Sequence, residues 1–205
     1  MLANQAPSST DAAGQHGFRQ QAGSCRYFAR PAQQEATMSI HIRPECPTDI
    51  PAIEALTVAA FLEAEHTSHT EQFIVNALRR AGQLSVSLVA ESDGVIVGHV
   101  AVSPVTISDG STGWYGLGPI SVVPEQQGKG IGSQLMHQAL AELRELGAAG
   151  CVLLGDPDYY SRFGFRAMPE LVLPDVPPEY FQALAFGDDV PVGTVTYHQA
   201  FDARE

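Results

Sequence analysis

Between residues 112 and 147 the chain passes through an apolar stretch broken by Gly116, Gly118 and Pro119. It then crosses a turn carrying Gly128, Gly130 and Gly132, and enters a segment with one apolar stripe. In that segment Ile131, Leu135, Ala139 and Leu143 fall four apart, Met136 and Leu140 widen the stripe, and Gly147 ends it. This is the pattern of a helix buried along one side. Residues 112–123 read as a strand whose glycines and proline suit a bulge, or a strand leaving its neighbour. A strand joined by a tight turn to a half-buried helix requires a sheet for that helix to cover, which places the chain among mixed α/β folds.

The flanking segments extend this reading. A first strand is expected at 39–43. Thr48 and Asp49 then offer an N-cap to a helix running to about residue 62. Ser68 and Glu71 have capping-box spacing ahead of a second helix that Gly82 closes. Val86, Leu88 and Ala90 alternate, Asp93-Gly94 makes a hairpin turn, and residues 95–107 form a long strand before a second turn at Asp109-Gly110. After the striped helix come a short strand at 151–154 and a short helix at 157–162, which Asp156 and Asp158 are placed to cap. The runs 180–186 and 192–197 suggest a final strand pair. The order β, α, α, three strands, α, β, α, β gives an α/β (mixed α+β) domain around one central sheet.

A chain of 205 residues with 44% hydrophobic and 17% charged residues is ordinary globular material. Residues 1–37 are rich in Gln, Ala, Ser and Gly and lack periodicity, so they read as a disordered extension, with the domain at 38–205. Cys25, Cys46 and Cys151 form neither a disulfide framework nor a zinc pattern. No apolar run reaches the ~18–20 residues a membrane helix needs, and residues 1–37 lack the apolar centre of a signal peptide. A soluble, cytoplasmic protein without membrane contact is expected. The net charge of −12 argues against nucleic-acid binding. Lys129 is the only lysine in the chain, and it lies between two glycines just ahead of the helix.

The turn from Val122 to Gly132 is where chemistry is expected. Glycines let the main chain approach a ligand closely, and the first amides of a helix lack intrahelical partners, so a pyrophosphate can bind there. A Walker loop requires Ser or Thr after the lysine, whereas Gly130 follows Lys129. A dinucleotide fingerprint requires glycine where Ser133 stands. A glycine-rich turn that only connects strand to helix is the bland alternative.

Gln127, Gly130 and Gly132 match the coenzyme A loop of the GNAT superfamily of N-acetyltransferases, which this chain resembles. The likeness continues upstream through Leu117 to Pro124 and downstream through Tyr159-Tyr160-Ser161-Arg162-Phe163-Gly164-Phe165, and its nearest subgroup is the YhbS-like set. The resemblance implies a central mixed twisted sheet flanked by helices. It also implies acetyl-CoA as co-substrate, a primary amine on a small molecule or protein as acceptor, and no metal. Cofactor contacts then fall to Ile120, Val122, Val123, Gln127, Gly128, Lys129, Gly130, Ile131 and Gly132. Tyr160 matches the family tyrosine that protonates the leaving thiolate; Tyr159 is its rival, and core packing is the structural alternative for either ring. The strand before the loop holds no Asp or Glu to act as base, so Glu63, Glu65, His66 and His69 become the candidates; His66 and His69 lack a third metal ligand. Two other readings stay open, a non-catalytic acyl-CoA-binding or sensing module and a nucleotide-binding domain of another class. Family members are often dimers, which makes a homodimer the arrangement to test.

Overall fold

The computed structural model describes residues 39–62 and 69–205. Strands β1 (Ile40–Pro44), β2 (Val86–Ser92), β3 (Val95–Ile107) and β4 (Trp114–Val122) form an antiparallel series. Strand β5 (Gly150–Leu154) joins β4 in parallel, and β7 (Phe181–Ala185) closes the far edge antiparallel to β5. The far end of β3 also pairs with β8 (Gly193–Tyr197), which carries the short strand β6 (Leu171–Val172) beside it.

Alternation along the strands sorts side chains to two faces. Leu88, Ala90, Val100 and Val102 point to one face, where they share a buried cluster with Leu135, Met136, Ala139 and Leu143 of helix α3 (Ile131–Glu145). Val89 and Ala101 point to the other, against Ile53 of α1 (Ile50–Phe61) and Val75 of α2 (Glu71–Arg80). Each aliphatic side chain fully buried this way contributes about 1.5–3 kcal/mol, so the two-sided packing fixes the sheet between its helices.

One irregularity shapes the functional surface. Val100 faces Ile120 and Val102 faces Leu117, so β4 carries one more residue than β3 across that interval. The extra residue lies at Gly118-Pro119, which is the bulge expected from the sequence. Pairing of β4 with β5 ends at Gly116 opposite Val152, although β5 continues to Leu154 against β7. From Leu117 onward the two parallel neighbours have parted.

Four expectations need correction or placement. Strands β7 and β8 are not a pair: β7 extends the main sheet beside β5, while β8 packs against β3 and β6. Both runs are rich in β-formers, but partner choice depends on the intervening loop, which sequence periodicity does not report. Asp49 precedes α1 without capping it; its carboxylate accepts the Cys46 amide at 2.8 Å and pairs with Arg43 at 2.6 Å. Ser68 of the expected capping box and the extension at 1–37 lie outside the described residues.

Candidate active site

The turn between β4 and α3 begins with a 3-10 turn at Pro124–Gln126. Gly128 and Gly130 then adopt φ of +75° and +84°, left-handed geometry that side chains with a Cβ rarely take. Gln127 braces the turn by donating its Nε2–H to Val122 O at 3.1 Å. The Gln134 amide returns to Gly130 O at 3.1 Å, but the amides of residues 128–133 donate to no other described residue. These successive donors at the start of a 15-residue helix form an anion-binding concavity.

A cleft of about 140 Å³ opens beside this concavity. Ile120, Val122, Gln127, Gly128, Gly130, Ile131 and Gly132 line it, so seven of the nine expected contacts come together. Val123 and Lys129 do not line it. The Val123 amide is already given to Val97 O at 3.0 Å, and Lys129 Nζ donates to Gln126 Oε1 at 3.0 Å.

Sequence reading missed several lining residues, Ala60 from α1, Ser121, Gln126, Ser133 and Arg162, while Tyr159, named there only as the rival acid, also lines the cleft. Arg162 supplies the positive charge at the cleft that Lys129 was expected to supply. Its guanidinium lies 4.6 Å from the centre of the Tyr159 ring, a cation–π contact that orients both side chains. The three-residue spacing of these two across helix α4 (Pro157–Tyr160) and the 3-10 turn after it was the available signal. The Asp156 carboxylate caps α4 by accepting the Asp158 amide at 2.9 Å.

Tyr160 is 1% exposed and belongs to the main core cluster together with Leu117 and Leu153, which flank the parting strands. Its ring meets Tyr159 edge-on at 5.0 Å and packs over Gly155, where any Cβ would collide with it. Burial pushes its phenol well above the ordinary tyrosine value, so it stays protonated. The adjacent tyrosines therefore divide: Tyr159 faces the loop, and Tyr160 fills the interior. Of the candidates for the base, His69 lies just before α2 with φ +57°, whereas Glu63, Glu65 and His66 are outside the described residues.

A buried polar row lies behind the cleft wall. Ser121 lines the cleft, contacts Thr57 of α1 at 3.5 Å, and stands opposite His99 of β3. His99 is 0% exposed, and its Nε2 is 2.9 Å from Ser87 Oγ. Ser87 donates its only hydroxyl proton to Glu45 at 2.5 Å, so Nε2 must carry the imidazole proton and donate to Ser87. Arg79 grips the same Glu45 through two hydrogen bonds at 2.7 and 2.8 Å. Burial would raise the Glu45 carboxyl, but hydrogen bonds from Arg79, His99 and Ser87 outweigh it and hold the group below the usual carboxylate range. Burial lowers His99 and keeps it neutral.

Known proteins share this fold. A model described as the acetyltransferase (GNAT) family matches residues 50–165. The Escherichia coli K12 protein YhbS, described as an uncharacterized N-acetyltransferase, is 38% identical over 168 residues, covering 78% of this chain and 98% of YhbS. A GNAT family acetyltransferase from Brucella melitensis, solved in complex with acetyl-CoA, is 52% identical with a TM-score of 0.72, covering 80% of this chain and 99% of that one. The structure of E. coli YhbS in complex with CoA is 35% identical, also at 0.72, covering 80% and 93%. The bulged and parted β4, the donor-rich turn and these matches agree: the chain belongs to the GNAT family of acetyltransferases.

Proposed function

We propose that this protein transfers an acetyl group from acetyl-CoA to a primary amine by direct attack within a ternary complex. The observation that carries the reading is the run of free amides from 128 to 133, which opens into a cleft beside the parted edge of β4. Those amides and Arg162 take the pyrophosphate. The β4 edge at Ile120 and Val122 takes the pantetheine arm and aims the thioester toward the bulge. The relatives solved with acetyl-CoA and with CoA support the choice of cofactor.

An amine nitrogen bonds to the acetyl carbon while main-chain N–H groups of β4 meet the negative charge on oxygen, an interaction worth a few kcal/mol. The carbon–sulfur bond then breaks, Tyr160 gives its phenolic proton to the departing sulfur, and the proton shed by the amine nitrogen passes through solvent to restore the phenol. Burial keeps the Tyr160 phenol protonated at neutral pH.

Thiol release from acetyl-CoA, followed with a panel of primary amines, tests the reading. Amine-dependent release that disappears in Gly130→Glu is expected, because that change places a carboxylate and backbone strain where φ is +84°. Tight acetyl-CoA binding without release for any amine would identify a sensing module instead. Acetyl-CoA binding that survives Gly130→Glu would remove the loop from the site.

A further inference from the structure

Ser121 stands between the two edge residues of β4, and its main chain is turned away from the parted edge. The Val123 amide donates to Val97 O at 3.0 Å, so by the alternation of an antiparallel ladder Ser121 also directs its N–H and C=O toward β3. Ile120 and Val122 direct theirs to the parted edge. What Ser121 offers the cleft is therefore its hydroxyl; the residue lines the cavity and is 3% exposed.

Two acceptors lie near that hydroxyl. Thr57 gives its own proton to Ile53 O at 2.7 Å, so in the 3.5 Å contact between the two hydroxyls Ser121 is the donor. That distance is long for an O–H···O hydrogen bond, and the contact is weak. The second acceptor is His99, directly opposite Ser121 in the ladder, where paired side chains share one face with Cβ atoms about 5 Å apart. Its Nε2 carries the imidazole proton toward Ser87 and Glu45, which leaves Nδ1 as a bare lone pair. Nδ1 is buried and has no hydrogen-bond partner among the described residues. Arg79 clamps Glu45 at 2.7 and 2.8 Å, so the chain from Arg79 through Glu45 and Ser87 holds the imidazole ring in place.

We propose that the Ser121 hydroxyl is a further contact to the pantetheine arm of acetyl-CoA and that His99 is the residue that positions it. With the cofactor in the cleft, the hydroxyl turns from Thr57 and donates to His99 Nδ1, which ends the unpaired state of that buried acceptor. The Ser121 oxygen then presents its lone pairs to the arm and accepts one of its amide N–H groups. Ile120 and Val122 hold the arm from the strand edge, and Ser121 fixes it on the side where Ala60 of α1 forms the wall. His99 touches neither the cofactor nor the acceptor amine and acts only through Ser121. The inference rests on acetyl-CoA occupying this cleft.

Calorimetry with CoA and the full chain, together with the KM for acetyl-CoA, tests the pair. Ser121→Ala is expected to weaken CoA binding by about tenfold and to raise KM more than it lowers kcat. His99→Gln keeps a donor for Ser87 but no acceptor at the place of Nδ1, and should weaken CoA binding to the same extent. His99→Asn keeps an acceptor there and should bind CoA more tightly than His99→Gln. Combining Ser121→Ala with His99→Gln should cost no more affinity than Ser121→Ala alone, because both changes remove one hydrogen-bonded pair. Parental affinity in Ser121→Ala, or a loss of about a hundredfold in the double variant, overturns the proposal. Equal losses in the Gln and Asn variants would leave His99 a structural residue only. If the His99 variants do not fold, nitrogen NMR of labelled histidine in the parent decides. On addition of CoA the Nδ1 resonance should move upfield as it gains a donor, with Nε2 still protonated, and an unmoved Nδ1 overturns the pairing. CoA binding that survives Gly130→Glu removes the cleft itself, whereas binding lost in Gly130→Glu and intact in Ser121→Ala overturns the Ser121 contact alone.

Discussion

The hydroxyl of Tyr159 stands 3.1 Å from the point that a Cβ on Gly132 would occupy, so the tyrosine and the first turn of α3 close on one another across the mouth of the cleft. Gly132 is helical, and alanine there gains up to about 1 kcal/mol of helix propensity. Gly132→Ala should therefore leave thermal stability level or slightly raised, while pressing Tyr159 into the space proposed for the pyrophosphate. The KM for acetyl-CoA is expected to rise by about tenfold, equivalent to roughly 1.4 kcal/mol. An unchanged KM would separate this contact from cofactor binding.

Tyr160→Phe removes the proposed acid and little else, since the ring stays packed against Tyr159 and Phe165. A loss of about 10²-fold or more in kcat is expected, with acetyl-CoA affinity preserved. Because burial raises the phenol above its ordinary value of about 10, kcat should show no alkaline loss from this group up to about pH 10. Tyr159→Phe should affect acetyl-CoA binding more than kcat. The reverse pattern would make Tyr159 the acid.

Gly150 faces Trp114 in the parallel ladder, and a Cβ on it would fall 2.5 Å from the indole ring. Trp114 is 2% exposed. Gly150→Ala should cost about 1–3 kcal/mol, several degrees in Tm for a domain of this size. Gly187→Ala, which would meet nothing within 4 Å, is the control and should leave Tm in place. Equal behaviour of the two variants in thermal unfolding would contradict the packing at this seam.

Stability should fall with acidification in two stages. His99 is lowered by burial, so below about pH 6.5 the unfolded chain takes up a proton that the folded chain refuses, and stability drops as pH falls. Burial opposes ionised Glu45, but its hydrogen bonds win and hold it low; its contribution is complete above about pH 4.5 and is lost below. Urea unfolding at successive pH values should show the upper stage in the parent, with a slope of at most about 1.4 kcal/mol per pH unit, and not in His99→Gln. Flat stability from pH 7 to 5 in the parent would show that His99 is not held neutral.

The local devices of the site were legible because they are local. Glycine at 128 and 130 announces left-handed backbone, and Gly118-Pro119 announces a bulge, whatever the rest of the chain does. The stripe through Ile131, Leu135, Ala139 and Leu143 identified the buried face of α3 for the same reason. A lysine beside glycines suggests an anion contact, and in the folded protein the Lys129 ammonium donates to Gln126 at the edge of the turn. Ser121 carried no comparable sign, and Arg162 only its three-residue spacing from Tyr159, because access to the cleft depends on tertiary packing.

From the amino-acid sequence alone came the order of elements, the donor-rich turn and the family resemblance, since all three depend on backbone preferences and short spacings. Folding decided which strands β7 and β8 join, which of two adjacent tyrosines lies in the core, and how Thr57 meets Ser121 at the cleft wall. The last of these brings together residues 64 positions apart. Chain entropy leaves such contacts open until the burial of apolar surface on both faces of the sheet fixes them.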